Sequence, residues 1–156
     1  MNTPTHRSYV EQVDHQRVED LLIAYRIATR IDRYSTLWRL HVLLTSRVWE
    51  PAYDTQLWED ANGQIVGFAL IWRRRAEDTY LVLDQFVHPL NATTNLADAI
   101  LTWAIQRGKT LAAQRASPVT LIANECDPAP QVGRSSAFTK HTITQQNNVK
   151  IQLILH

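Results

Sequence analysis

Within residues 79 to 101, TYLVLDQFVHPLNATTNLADAIL, a carboxylate, a histidine and a helix start fall in one short segment. Asp84 stands inside an apolar run of strand character, where aspartate is uncommon. It is either a hydrogen-bonded structural carboxylate or an acid–base group, and residue type alone leaves both open. His88 sits at the strand's end with no charged partner legible in the sequence. After Pro89 a polar turn opens a helix, and the first N–H groups of a helix have no partner inside it. Strand-to-helix turns of this kind often hold phosphates. This one has no glycine, lysine or arginine between Pro89 and Asp98. If Asn95 caps the helix, Asp98 is its third residue, where a carboxylate gains roughly 0.3–1 kcal/mol from the helix dipole. Asp98 would also reach back to the cap N–H, so the helix end would already hold its own anion.

Other chemistry-bearing residues are less suggestive. The six histidines show no pair at metal-ligand spacing backed by cysteine or carboxylate, so no metal is expected. Cys126 lies between Glu125 and Asp127, which disfavour its thiolate, and no histidine partner is recognisable. Arg73-Arg74-Arg75 reads as a solvated turn, and Ser135-Ser136 sits in no nucleophile motif. The five tryptophans, at 38, 49, 58, 72 and 103, read as core and cleft walls, and His41 as a satisfied core residue.

The chain of 156 residues is expected to form one domain, 1–156, with a substantial core. A formal charge of +1 gives no basic footprint for nucleic acid. A single cysteine excludes an internal disulfide and fits a reducing compartment. The N-terminal MNTPTHRSYVEQ lacks a signal-peptide core, and no apolar run reaches the roughly 18 residues of a membrane helix. A cytoplasmic protein is expected.

Those residues must be positioned by elements. An extended piece from Ser8 to Val13 precedes Asp14, a plausible helix cap, and Val18, Leu21, Leu22, Tyr25 and Ala28 then share a helical face. A second helix starts near Ser35 and is stopped by Pro51. TQLWEDANGQIVGFALIWRRR reads as two strands joined by a tight turn at Asn62-Gly63, with positive φ angles at the turn. Thr79–Val87 makes a third strand. The helix from Asn95 buries Leu96, Ala99, Ile100, Trp103 and Leu111, with Gly108 weakening its last turns. Pro118–Asn124 is a strand, RSSAFTKH a short helix, and NNVKIQLILH a final strand. The order β-α-α-β-β-β-α-β-α-β implies an α/β fold around a mixed sheet.

That order, with GQIVGFALIW, LVLDQFVHP and LADAILTWAIQRGKTLA in succession, resembles the GNAT superfamily of N-acetyltransferases over about residues 9 to 143. The resemblance implies an acetyl-CoA co-substrate. Its pantetheine arm would lie along the strand at Phe86 and Val87, and its diphosphate against the backbone of Asn95, Leu96 and Ala97. Asn124 matches a residue type common after the next strand, and Asp84 stands where the family places its base. The family's Gln/Arg position falls on Ala92, its first Gly on Asn95, and its late-helix tyrosine near Phe138. Only Ala97 keeps the loop pattern, so weak acetyl-CoA binding is expected. The resemblance implies a small-molecule or peptide amine as acceptor and admits a homodimer, while the charge balance and the lack of a long apolar run imply no nucleic acid or membrane partner. Two functions stay open: an N-acyltransferase with Asp84 as base, or a non-catalytic domain that binds a ligand or dimerises.

Overall fold

The computed structural model describes residues 4–29, 42, 50–73, 75–91, 94–124, 140–145 and 148–155. The elements in chain order are β1 (Thr5–Arg7), α1 (Glu11–Thr29), the single turn α2 (Pro51–Asp54), β2 (Thr55–Glu59), β3 (Ile65–Trp72) and β4 (Tyr80–Val87). A 3-10 turn (Pro89–Asn91), α3 (Thr94–Arg115), β5 (Val119–Asn124), β6 (Lys140–Gln145) and β7 (Asn148–Leu155) complete them. The strands form one seven-stranded sheet in the order β1-β2-β3-β4-β5-β7-β6. Among the described strands only β4 and β5 run parallel, and α3 is the crossover that a parallel pair needs.

β3 explains the layering. Its IVGFALIW run is buried on both faces until Trp72, which suits a central strand covered by helices on either side. On one face Val18, Leu21, Leu22 and Tyr25 of α1 pack over Leu57, Phe68, Leu70 and Phe86. On the other, Leu96, Ile100, Ala104, Leu111 and Ala112 of α3 cover Ala69, Ile71, Leu81, Leu83, Val119 and Leu121. Ala99, expected on this stripe, is exposed, and Trp103 is half-buried against Trp58, edge to face at 6.1 Å. A Cβ on Gly67 would touch both Leu96 methyls at 3.4 Å, so this glycine marks where the first turn of α3 seats on the sheet.

Local chemistry places the element ends. Asp14 is not the cap residue. It lies one turn inside α1 and its carboxylate accepts the Val10 N–H at 2.8 Å, so the helix starts earlier, at Glu11. Arg7 donates two bonds of 2.6 Å to the same carboxylate, which ties β1 to α1 and shifts the extended piece to Thr5–Arg7.

The β2–β3 turn also differs from the two-residue form expected. Asp60 and Gln64 close a three-residue loop, the Gly63 N–H donates to the Asp60 carbonyl, and Gly63 has φ +73°. Asp60 Oδ1 accepts the N–H groups of Asn62 and Gln64, which holds the turn in this form. A bulge beside Trp58/Glu59 then restores Trp58 opposite Gly67, the register a two-residue turn would have set.

α3 runs through Gly108 to Arg115. Ala116 takes φ 49°, Ser117 N–H donates to Ala112 O and Ala116 N–H to Ala113 O, the two bonds of a Schellman closure. At the chain's end the expected helix over 134–141 overlaps β6, so Lys140 and His141 are strand and form a hairpin with β7. The expected helix from Ser35 lies outside the described residues apart from Val42. No helix among the described residues is long and apolar enough to cross a membrane.

Candidate functional site

The site grows from a mismatch in strand length. β4 and β5 pair over only four positions, Tyr80↔Thr120 to Leu83↔Ala123. β4 continues to Val87, paired with β3 throughout, while β5 continues to Asn124, paired with β7 opposite Lys150. The two parallel strands therefore part beyond Leu83 and Ala123.

Hydrogen-bond parity says which backbone groups face that notch. His88 N–H donates to Val66 O at 2.8 Å, so even-numbered β4 residues turn their N–H and C=O toward β3. Thr120 N–H donates to Thr79 O at 2.8 Å, so odd-numbered residues turn theirs toward β5. Gln85 and Val87 are the odd residues past the last β5 pair. Their N–H and C=O groups line the notch, an edge that a peptide-like ligand can extend.

Phe86, grouped with Val87 in the sequence reading, points its backbone at Phe68 of β3. Its ring is 2 % exposed, edge to face with Tyr25 at 5.5 Å and stacked on Phe68 at 6.4 Å. It belongs to the core under α1. Gln85, which the sequence reading did not single out, has the backbone position instead. The signal was present in the alternation of a hairpin, but only the ladder's register says which parity faces outward.

Asp84 lies one residue past the last β4–β5 pair. It faces the α1 side of the sheet, opposite Leu70, and is 3 % exposed. Its Oδ2 accepts the indole N–H of Trp72 at 2.8 Å. Trp72 is the last residue of β3, half-buried against the apolar cluster under α1.

Beyond Val87 the chain turns toward α3. Asn91 N–H donates to His88 O at 2.8 Å, and the Leu90 N–H to His88 Nδ1 at 3.3 Å, so the ring folds over its own turn. α3 begins at Thr94. Asn95 is therefore its second residue and exposed, Leu96 is buried on the sheet, and Ala97 is half-buried. Asp98 is the fifth residue, exposed and with no side-chain hydrogen bond among the described residues, so it is not the capping carboxylate expected. Ala92, Cys126 and Phe138 lie outside the described residues, and Asn124 is placed by its backbone alone. The notch, the Asp84 carboxylate and the start of α3 thus adjoin at one end of β4. Arg73, Arg75 and Arg115 gather at the other end, where Arg115 donates to the carbonyls of Ala76 and Asp78.

No protein-family model matches the sequence, and no curated protein is similar to it in sequence. The fold has many counterparts among solved structures. A GCN5-related N-acetyltransferase from Sphaerobacter thermophilus superposes with TM-score 0.60 at 17% identity, over 78% of this chain. This chain spans only 38% of that protein. A GNAT-family acetyltransferase from Staphylococcus aureus Mu50 superposes at 0.57 with 14% identity, over 99% of this chain and 100% of its own. A GNAT superfamily phosphinothricin acetyltransferase from Sinorhizobium meliloti, in complex with acetyl-CoA, superposes at 0.58 with 13% identity, over 98% and 87%. The chain has the GNAT fold.

Proposed function

We propose that this protein is an acetyl-CoA-dependent N-acetyltransferase of a small-molecule or peptide amine. The observation that carries the reading is the notch: β4 and β5 part at Leu83/Ala123, and the backbone groups of Gln85 and Val87 face the gap beside a buried carboxylate. The amide-bearing pantetheine arm of acetyl-CoA is a fitting partner for those groups. The Val87 N–H would polarise the thioester carbonyl, and Asp84, directly or through a water, would take one proton from the acceptor ammonium. The free amine then attacks the carbonyl carbon, the C–N bond forms and the C–S bond breaks. The nitrogen's second proton balances the one taken up by the departing CoA thiolate.

The start of α3 is the seat for the diphosphate, its first N–H groups supplied by Thr94 and Asn95. From Asp84 to Gln106 the sequence has no lysine or arginine, and Asp98 sits one turn into the helix. That charge balance favours weak binding. It also supports the second reading, a GNAT-like domain that binds a ligand or dimerises without catalysis. The reading implies the cytoplasm as its compartment.

The test pairs binding with turnover. Acetyl-CoA is titrated calorimetrically, and thiol release is followed with free amino acids, polyamines and peptide N-termini as acceptors. Acceptor-dependent release abolished by Asp84→Asn supports the enzyme. Saturable binding with no release from any acceptor supports the second reading.

A further inference from the structure

We infer that Trp72 is a positioning residue for the base, an inference that rests on the reading of Asp84 proposed above. The indole Nε1–H donates to Asp84 Oδ2 at 2.8 Å, across a diagonal between β3 and β4 in which Leu70 stands opposite Asp84 and Trp72 opposite Val82. An indole N–H can only donate, so it holds an acceptor oxygen in place and takes no proton itself. The carboxylate is 3 % exposed, so this bond sets its orientation far more than water does.

Position gives the contact its meaning. Asp84 is the first β4 residue beyond the last pair with β5, and its side chain leaves the sheet on the α1 side. A short aspartate there has two χ angles to fix before it can meet an amine nitrogen at hydrogen-bond distance from the notch. Trp72 restrains them from the neighbouring strand, and is itself packed against the apolar cluster under α1. The device is a rigid donor on a packed strand holding a reacting group to geometry, where small displacements are costly in rate.

The experiment removes the N–H and keeps the ring. Trp72 is replaced by its benzothiophene isostere, which has the same shape and no N–H, and in parallel by Trp72→Phe. Turnover is measured with acetyl-CoA and the best acceptor from the panel of amino acids, polyamines and peptide N-termini. The expected result is a fall in kcat of about tenfold, the scale of one hydrogen bond to a charged group, with the KM for both substrates and the melting temperature unchanged in the isostere. The indole N–H resonance of Trp72 should also move upfield in Asp84→Asn while the other indoles stay fixed.

An isostere with wild-type kcat, in a protein that Asp84→Asn inactivates, overturns the inference and leaves the base assignment standing. Wild-type kcat in Asp84→Asn overturns the assignment of the base, and this inference with it. A lower kcat together with a lower melting temperature in Trp72→Phe, with neither change in the isostere, assigns Trp72 to packing alone and overturns the inference. Absence of turnover by the wild-type protein with every acceptor overturns the proposed function, and this inference with it.

Discussion

Asp14 and Asp98 are both carboxylates near a helix start, and the fold uses them in different ways. Asp14 is fully buried, accepts the Val10 N–H and two Arg7 bonds, and shares Arg17 with Glu59. Burial pushes its pKa up, but the Arg7 hydrogen bonds, the Val10 N–H and the two guanidinium charges outweigh this and hold it below the usual carboxylate range. Glu59 is held down mainly by its hydrogen bond from Arg7, and further by Arg17, against the opposing effect of burial. Folded values below the unfolded ones mean that this stability is fully present above the ordinary carboxylate range. It is lost as pH falls through the depressed folded values, so thermal melts should be flat above about pH 5 and drop steeply below about pH 4. In Asp14→Asn that acid-side loss should shrink, and a pH series of melts on both proteins checks it. At neutral pH Asp14→Ala should cost about 2–3 kcal/mol, at and just below the low end of the range for broken buried pairs because both arginines are a third exposed. Asp98 has no comparable partner among the described residues and is exposed, so Asp98→Ala should leave stability within about 0.5 kcal/mol, measured by urea denaturation. Its charge still lies near the proposed seat of the diphosphate. The same variant should therefore bind acetyl-CoA slightly more tightly at low salt, with the difference fading at high salt.

At the scale of elements, periodicity made the middle of the chain legible and side-chain hydrogen bonds set the ends. The alternation in LVLDQFV and the apolar IVGFALIW run mark β4 and β3, and the spacing of Leu96, Ile100 and Leu111 marks α3. The start of α1 lies earlier than the pattern suggests because the sequence shows Asp14 as a cap residue but not that it reaches back to Val10 and across to Arg7. The β2–β3 turn differs from the pattern because Asn62-Gly63 suggests a two-residue form, whereas Asp60 favours a longer loop through its own carboxylate. β6 was hidden because Lys140 and His141 continue a stretch of mixed helical character, and only pairing with β7 decides their state. The end of α3 offers a test of these local effects. Ala116 occupies a left-handed conformation that disfavours a Cβ by roughly 1–2 kcal/mol, in the position where glycine usually closes a helix. Ala116→Gly should raise stability by about 0.5–1 kcal/mol, because relief of strain exceeds the added freedom of the unfolded chain. Chemical denaturation of the two proteins checks it.

For the whole molecule, the site is a consequence of topology. A sheet with one parallel pair must end that pair somewhere, and here β4 outruns it by four residues while β5 turns its other edge to β7. The crossover helix starts at the same end, so a peptide-like edge and a helix N-terminus adjoin without any residue being dedicated to bringing them together. The order of elements was readable for that reason. The parity that selects Gln85 and Val87 over Phe86, and the indole bonded to Asp84, were not readable, because both depend on cross-strand register. The claim that this notch receives acetyl-CoA is most directly tested by titrating acetyl-CoA into isotopically labelled protein and following the backbone amides. Saturable shifts should concentrate at Gln85 and Val87, with smaller ones at Thr94 and Asn95, and give a Kd on the order of 0.1 mM, as expected for a seat lacking a charge-assisted contact. Saturable shifts confined to other surfaces, or Gln85 and Val87 unmoved at millimolar acetyl-CoA, would contradict the account.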